Sequence, residues 1–503
     1  MRILSAKQHH ALDEATMRQE DISNLDLMER AATAWSARFQ RHYPDKRRRI
    51  TVLVGPGNNG GDGLVAARLL RFEAYTVNVI WAAIGKSSPD NDANLRRAKD
   101  VGVPLRQLHE GDDFPVIPAG SLLIDALFGT GLSRPVTGYW AELIGHVNEL
   151  DVERVALDLP SGMSADQPAT GSVVRAHRTL SLGYPKLALF APANSPFLGH
   201  WELVPFAQAH GYVATLPDDK IMLTEPDIAR LLKVRGGSDH KGTFGHALLI
   251  AGAYEKMGAA VIAARAVLRS GAGLVTTHLP RIGYQIMQLA FPEAMCRVDE
   301  HQHYFTGAAD LERYDVVGIG PGIGQEDATR EGLFRTIAAC RKPMVVDADA
   351  LNLLARHPEH LSRLPERSIL TPHPKEFERL FGQTENDFQR WELQRARAQE
   401  LAITIILKTG HTAVATPDGR MHFNTTGNPG MGTAGTGDAL TGVLTGLLAQ
   451  GYTPEAAAKL GVYLHGLAGD LAAQAIGQES MIAEDLILQL GAAFRRLHAV
   501  RKR

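Results

Sequence analysis

The sequence predicts an α/β protein of two domains, on three observations. Short apolar or β-branched runs alternate with helical patterns in two successive series, glycine-rich loops follow several of the runs, and the periodicity lapses around residues 205–224. Alternation at this spacing builds a parallel sheet covered by helices on both faces. A chain of 503 residues carries a length prior of about three domains, but its motifs fall into two groups, within 1–215 and 224–503.

Ser5 with Gln8, and Ser23 with Asp26, are spaced as capping boxes ahead of amphipathic stretches, so the chain opens with two helices. The runs at residues 50–54, 77–81, 122–124 and 155–157 are the strands of the first series, and residues 64–72 form a helix after the first of them. Residues 205–224, rich in Pro, Gly and Asp, read as a linker. The second series runs through 247–250, 274–277, 316–319, 344–346 and 403–407. Residues 412–416 and 420–424 flank Asp418-Gly419, which predicts an antiparallel hairpin at its end. An apolar run over 439–448 reads as a helix opened by Gly435 and Gly437.

Composition narrows the function classes. Hydrophobic content of 45% and charged content of 21% fit a soluble globular chain with large cores. Fifty-three basic against 55 acidic residues give a formal charge of -2, which leaves no surplus for nonspecific binding to nucleic acid or an anionic membrane. Cys296 and Cys340 are too few for a disulfide framework or a zinc site and read as packing residues in a reducing compartment. The first 17 residues lack an apolar signal core, and Arg265 and Arg269 interrupt the most apolar helical stretch, so a cytoplasmic location is expected.

The most informative segment is 424–440, where Gly430, Gly432, Gly435 and Gly437 crowd before Asp438. The free N–H groups and positive end of the following helix suit an anion. An aspartate in its first turn is placed to deprotonate a hydroxyl attacking a bound phosphoryl group; the alternative is an acid that stabilises the helix start. Earlier, Gly55, Gly57 and Gly60 satisfy the dinucleotide fingerprint G-x-G-x-x-G. The acidic ribose ligand due about 20 positions on is missing, because that strand ends Trp81-Ala82-Ala83. Asn58, Asn59 and Asp62 instead suit a polar ligand or a hard cation. Two further loops follow strands, Asp125-Ala126-Leu127-Phe128-Gly129-Thr130-Gly131-Leu132 and Asp158-Leu159-Pro160-Ser161-Gly162.

With these three loops together, the first two hundred or so residues resemble the YjeF N-terminal family, the NAD(P)H-hydrate epimerases. The resemblance implies a Rossmann-like α/β/α sandwich in which Asn58, Asn59, Gly60, Gly61 and Asp62, then Gly129, Thr130, Gly131, Leu132, Ser133, Arg134 and Pro135, then Asp158 contact the hydrated nucleotide. It also implies potassium on oxygens of Asn59, Asp125 and Ser161, with Asp158 as the proton-transfer residue. His177, where aspartate is common, and Lys186-Leu187-Ala188-Leu189, which lacks a usual glycine, depart from the family pattern outside this expected core.

From about Thr224 onward the chain is similar to the ADP- or ATP-dependent NAD(P)H-hydrate dehydratases of ribokinase-like fold. The motifs are Lys241-Gly242-Thr243-Phe244-Gly245-His246, Gly252-Ala253, Gly318-Ile319-Gly320-Pro321-Gly322-Ile323-Gly324, Asp347-Ala348-Asp349-Ala350-Leu351-Asn352 and Thr371-Pro372-His373-Pro374-Lys375-Glu376. The resemblance implies that Ala253, Gly322, His373 and Asp438 meet the hydrated dinucleotide, and that Lys408, Thr409, Gly410, His411, Thr412 and Gly437 meet the adenine nucleotide. Asp438 is then the catalytic base, and magnesium accompanies the nucleotide, with ADP preferred as in bacterial members. Glu376, Asp347 and Asp349 divide between magnesium-shell and helix-start roles. Lys375 departs from the family, which usually has glycine there.

The joint expectation is repair of hydrated NADH and NADPH (NADHX and NADPHX). The R and S hydrates are interconverted, and the S hydrate is dehydrated with ADP, giving AMP and phosphate. A homo-oligomer is expected, without nucleic-acid or membrane partners. The rivals are a ribokinase-class small-molecule kinase and an epimerase-like fold serving as an RNA-processing scaffold. The first half of the chain argues against the former, and the retained aspartates and the charge balance against the latter.

Overall fold

The computed structural model describes residues 1–132, 134–308 and 310–501. It divides into two compact units, Met1–Asp218 with Asn386–Phe388, and Asp219–Glu385 with the chain from Gln389 onward.

The first unit is built on seven parallel strands in the spatial order Leu105–Leu108, Val77–Ala82, Ile50–Val54, Leu122–Ala126, Glu153–Leu157, Arg178–Leu182, His200–Val204. Successive strands step outward in one direction from Ile50–Val54, then in the other from Leu122–Ala126. A crevice forms where the order reverses, beyond the carboxyl ends of those two strands. Both are fully buried, as expected for a sheet covered on two faces. The helices Ala6–Glu20 and Asn24–His42 start at the two capping boxes read from sequence. Trp35 and Phe39 of the second are fully buried, and the Trp35 indole donates to Leu180 O at 3.2 Å.

The second unit carries ten strands, of which Met295–Val298, Leu274–Leu279, His246–Ile250, Val316–Ile319, Met344–Val346, Ile369–Leu370 and Thr404–Leu407 are parallel neighbours in that order. The hairpin Ala413–Ala415 and Met421–Phe423 continues it antiparallel, and Lys220–Met222 closes the edge. The helix Thr436–Ala449 is buried along nearly its whole length. Two of its glycines permit that depth: a Cβ on Gly442 or Gly446 would stand 2.2 Å from Ala263 O or 2.5 Å from Val267 O in the helix Met257–Arg269. The start of this helix is thereby fixed against its neighbours.

The structure differs from the sequence reading where local signals are weak. Leu105–Leu108, His200–Val204 and Met295–Val298 are edge strands with part-exposed, mixed sequences, and Ile369–Leu370 spans only two residues. Lys220–Met222 is a strand inside the stretch read as a linker. Asn58 to Gly63, read as loop, is already the first turns of the helix Asn58–Phe72. Ahead of it, Asn91 is completely buried and donates to Gly55 O at 2.8 Å and Gly57 O at 2.9 Å. Losing both bonds leaves the buried Gly55 carbonyl unpaired, while the exposed Gly57 carbonyl keeps its bond from Gly61 N. Asn91→Ala is therefore expected to destabilise the first unit by about 2–3 kcal/mol in urea unfolding, and a loss below about 0.5 kcal/mol would show that the glycines alone set this turn.

Candidate active sites

In the first unit the crevice is a cavity of about 530 Å³. Of the residues expected there, Asn58, Asn59, Asp62, Gly129, Thr130, Gly131, Leu132 and Asp158 line it. Gly60 and Gly61 are buried beneath, where a Cβ on Gly60 would stand 1.9 Å from Gly55 O. Arg134 and Pro135 are exposed and do not line the cavity, and Ser133 lies outside the described residues. The helix Asn58–Phe72 starts on Gly57 with no side-chain cap, and its first intrahelical bond is Gly61 N to Gly57 O. The N–H groups of the first turn are thus available to an anionic ligand.

Asp158 follows the strand Glu153–Leu157 with φ 76°, a left-handed conformation that costs a non-glycine residue on the order of 1 kcal/mol. The cost is met by what the side chain gains. Its Oδ1 accepts from Lys186 Nζ, from Leu182 N at 3.0 Å and from Ser181 Oγ at 3.2 Å. Its Oδ2 has no protein partner among the described residues and is available to the cavity. Lys186 is 1% exposed and also donates to Ser181 Oγ at 3.1 Å and Leu182 O at 2.6 Å, so its three protons are all engaged. Four more titratable residues line the same cavity, His9, His10, Asp13 and Asp62. Burial, with the charges of Asp158 and Asp13, pushes the Asp62 carboxyl well above the usual range. Burial raises Asp13, against a hydrogen bond from Gln208. Burial and Lys186 hold His9 well below its usual value.

Below the cavity, Asp125 is fully buried, and burial pushes its carboxyl up to about 6. It accepts from Ser161 Oγ at 2.5 Å, Ser161 N at 2.7 Å and Leu127 N at 3.3 Å. Ser161 Oγ in turn accepts from Phe128 N at 2.9 Å. Asn59 lies against Gly129, and its buried Nδ2 has no partner among the described residues. Exchanging the amide N and O, which a hydrogen-bond network must decide, would leave an unpaired buried oxygen there instead. A buried carboxylate with no cationic side chain on it, a hydroxyl and an amide form an oxygen donor set that suits a large monovalent cation.

In the second unit the centre is Asp347, 1% exposed, which follows the strand Met344–Val346. It occupies the N-cap position of the helix Ala348–Arg356 but makes no capping bond. Its Oδ1 instead takes Lys408 Nζ at 2.8 Å and its Oδ2 takes Thr441 Oγ1 at 2.6 Å. Lys408 Nζ stands 3.7 Å from where a Cβ on Gly437 would be, over the start of the helix Thr436–Ala449. That helix begins on Gly435 (φ 88°) without a side-chain cap, and its first bond is Ala439 N to Gly435 O, so the Thr436, Gly437 and Asp438 amides are not used within the helix. Burial first, then the charges of Asp347 and Asp349, raise the Asp438 carboxyl to about 6, against the pull of Lys408.

The other expected residues border this centre. Gly252 N donates to Pro321 O at 2.8 Å, which sets Ala253 beside the loop carrying Gly322 (φ 62°). His373 is the N-cap of the helix Pro374–Phe381, its Nδ1 accepting from Lys375 N at 3.1 Å and Glu376 N at 3.3 Å, while its Nε2 stands 3.5 Å from Glu376 Oε1. Glu376 completes this capping box through His373 N at 2.9 Å, so the helix-start role is realised. Asp349 does not cap; it accepts from Gly324 N at 3.0 Å, Gln325 Nε2 at 2.8 Å and Lys256 Nζ at 3.2 Å. Lys408 follows Pro372 through a backbone bond of 2.9 Å, and Thr409 to Thr412 form a turn closed by Thr409 Oγ1 on His411 O at 2.8 Å and Thr412 Oγ1 on Thr409 O at 3.2 Å. Among the described residues, no three His, Cys, Asp or Glu side chains gather as a metal cage. No helix of the described residues is long and apolar enough to cross a membrane.

Fold and sites together define a two-domain α/β enzyme with a polar crevice at the strand ends of one sheet and an anion-binding helix start facing a Lys–Asp pair on the other. Residues 24–188 match the family described as YjeF-related protein N-terminus, and residues 247–490 match NAD(P)H-hydrate dehydratase. The bifunctional NAD(P)H-hydrate repair enzyme of Moorella thermoacetica is 36% identical over 99% of this chain and 97% of its own length. The Escherichia coli enzyme of the same description is 33% identical over 93% of this chain and 90% of its own. A solved ribokinase-like superfamily protein from Enterococcus faecalis covers 56% of this chain and 98% of its own, with 27% identity and a TM-score of 0.50. The chain belongs to the family of bifunctional NAD(P)H-hydrate repair enzymes.

Sequence reasoning missed Lys186, His9, Asp13 and Thr441 as site residues. Lys186 carried a signal, a lone charge in the apolar stretch Tyr184-Pro185-Lys186-Leu187-Ala188-Leu189. The other three are visible only once the sheet brings distant elements together. Removing the lysine alone strands a buried carboxylate: Lys186→Met is expected to cost about 3–5 kcal/mol in urea unfolding, and Lys186→Met with Asp158→Asn to recover about half of it. Strictly additive losses in that cycle would mean the pair is not coupled.

Proposed function

We propose that the first unit interconverts the R and S hydrates of NADH and NADPH, and that the second dehydrates the S hydrate at the expense of ADP. The observation that carries this reading is Asp438, a carboxyl raised to about 6 in the first turn of an uncapped helix near Lys408. Water is a poor leaving group, so the reaction needs its oxygen converted into a better one. The C6 hydroxyl attacks the terminal phosphorus of ADP while Asp438 takes its proton, and AMP departs as the P–O bond to it breaks. Phosphate then leaves C6 with the bonding electrons, a proton is lost from C5, and the ring double bond returns. The Thr433 to Gly437 segment offers amides to the developing phosphoryl charge, and Lys408 offsets it. Lys408 to Thr412 and Gly437 hold the nucleotide, while Ala253, Gly322 and the part-exposed His373 hold the hydrated dinucleotide.

Magnesium fits as an ion carried by phosphate oxygens, because Asp347 and Asp349 already spend both carboxylate oxygens on protein donors. When bound it neutralises phosphate charge. In the first unit, Asp158 exchanges the proton through its unengaged Oδ2, and Asn58 to Asp62 with Gly129 to Pro135 bind the nucleotide. Asn59, Asp125 and Ser161 would hold potassium. ADP is preferred to ATP, and a cytoplasmic homo-oligomer is retained as part of this reading.

The test incubates purified protein with mixed R and S hydrates, magnesium and ADP or ATP, following recovery of reduced-nicotinamide absorbance. Asp438→Asn is expected to cut recovery about a hundredfold or more while R-to-S exchange continues, and Asp158→Asn to do the reverse. Equal loss of both activities in either folded variant would refute independent sites. The pH profile follows from the sign of the shift. Asp438 works ionised, so dehydration falls about tenfold per pH unit below about 6 and levels off above it. Asp347→Asn removes a like charge and leaves Lys408 unneutralised, so that midpoint moves to lower pH; an unmoved midpoint would assign the limb to another group.

A further inference from the structure

A second cavity, of about 610 Å³, opens in the second unit between Gln325, Asn352, Ala355, Arg356 and Arg379. Its two arginines are unlike their neighbours. Arg330 pairs with Asp327 and Arg390 with Glu378, whereas neither Arg356 nor Arg379 forms an ion pair with a carboxylate among the described residues. Each is aimed by a neutral amide instead: Arg356 Nη2 donates to Gln325 Oε1 at 2.7 Å, and Arg379 Nη1 donates to Asn352 Oδ1. A guanidinium has five N–H donors. One side-chain bond each among the described residues leaves most of that capacity, and the whole charge, facing the cavity or solvent. The amides are themselves held, because Gln325 donates to Asp349, which also ties down Gly324 N.

The cavity is flanked by elements that carry residues assigned to the hydrated dinucleotide. Gln325 lies three positions after Gly322 on the same loop, and Arg379 lies on the helix Pro374–Phe381 that His373 caps. The charges of Arg379 and Lys375 both reach His373 and help hold its imidazole below its usual value, after burial and Lys408. Lys375 is exposed and lies four residues before Arg379, on the same helix face. It is also the position where this sequence departs from its family's glycine. Resting on the dehydratase reading above, we propose that Arg356 and Arg379, with Lys375 at the approach, bind a phosphate of the hydrated dinucleotide remote from its reacting ring. A planar fork matches phosphate oxygens two at a time, and binding energy spent there anchors the substrate without touching C6.

Two phosphates qualify, the 2′-phosphate of NADPHX and the bridging diphosphate common to both hydrates. Arg356→Gln, Arg379→Gln and the pair are assayed with S-NADHX and S-NADPHX separately, varying ADP in a parallel series. All three positions are exposed, and unchanged thermal melting establishes that the fold is kept. The expected result is a KM for S-NADPHX raised about tenfold per arginine with kcat within about twofold. If KM for S-NADHX stays put, the 2′-phosphate is the ligand; if it rises equally, the diphosphate is. Unchanged KM for both hydrates, or a rise confined to ADP, overturns the proposal. Should the unaltered protein dehydrate neither hydrate, the dehydratase reading fails first. Calorimetry with adenosine 2′,5′-bisphosphate and with ADP-ribose then decides the subsite: about tenfold weaker binding of either probe by the double variant supports it, and equal binding of both overturns it.

Discussion

Everything in the second unit depends on one lysine surrounded by more acid than it can neutralise. Asp347, Asp349, Glu376 and Asp438 all lie within electrostatic reach of one another or of Lys408, which Asp347 holds at 2.8 Å and Glu376 approaches only to 3.9 Å. Asp347 is therefore satisfied, and the surplus negative charge falls on Asp438. A helix start should do the opposite, since its dipole favours an anion by about 0.3–1 kcal/mol. The rise from 3.8 to about 6 corresponds to about 3 kcal/mol toward the neutral form. Desolvation and like charge outweigh the dipole. An acid poised near neutrality, rather than a spent helix cap, is the outcome, and poise of this kind is what a general base requires.

The first unit reaches a comparable end with the roles reversed. Lys186 is buried and its three protons are consumed, so it acts on Asp158 as a fixed charge. The left-handed backbone at Asp158 directs one carboxylate oxygen to that lysine and leaves the other free. Asp62, denied such a partner, is driven toward its neutral form by burial first and then by the same Asp158 charge. One cavity thus contains an anchored carboxylate and a carboxyl biased to keep its proton, a division set by where the buried Lys186 points.

How much of this could be read in advance follows from the range of each interaction. The capping boxes at Ser5 and Ser23, the hairpin at Asp418-Gly419 and the buried central strands are local, and they were legible. Edge strands were not, because half-exposed residues carry no alternation strong enough to read. The glycine-rich loops located both sites, yet the groups that tune them come from far along the chain. Lys186 lies 28 residues from Asp158, and Thr441 lies 94 from Asp347. In sequence Asp347 divides between a magnesium-shell and a helix-cap role; it occupies the cap position in space, but a lysine 61 residues on takes its oxygen instead. Position was predictable, whereas partner choice required the sheet.

Both units use one local device, a glycine leading into a helix start left without a side-chain cap, extended at Gly57 and left-handed at Gly435. What separates their chemistry is the residue type placed in the first turn. Asn58 and Asn59 present neutral amides and free N–H groups, which can hold an anion or a cation's oxygen shell but cannot drive proton transfer, and the Asp158 carboxylate reaches the cavity from the end of another strand. Thr436-Gly437-Asp438 carries its own acid, and Gly437, with no side chain, lets Lys408 approach the same turn. A phosphoryl group at that turn would meet amides, a cation and a base within a few ångströms, whereas the crevice of the first unit presents no comparable cation on its helix start. An uncapped helix start therefore offers amides in both halves of the chain, and in the second Asp438 and Lys408 stand beside them.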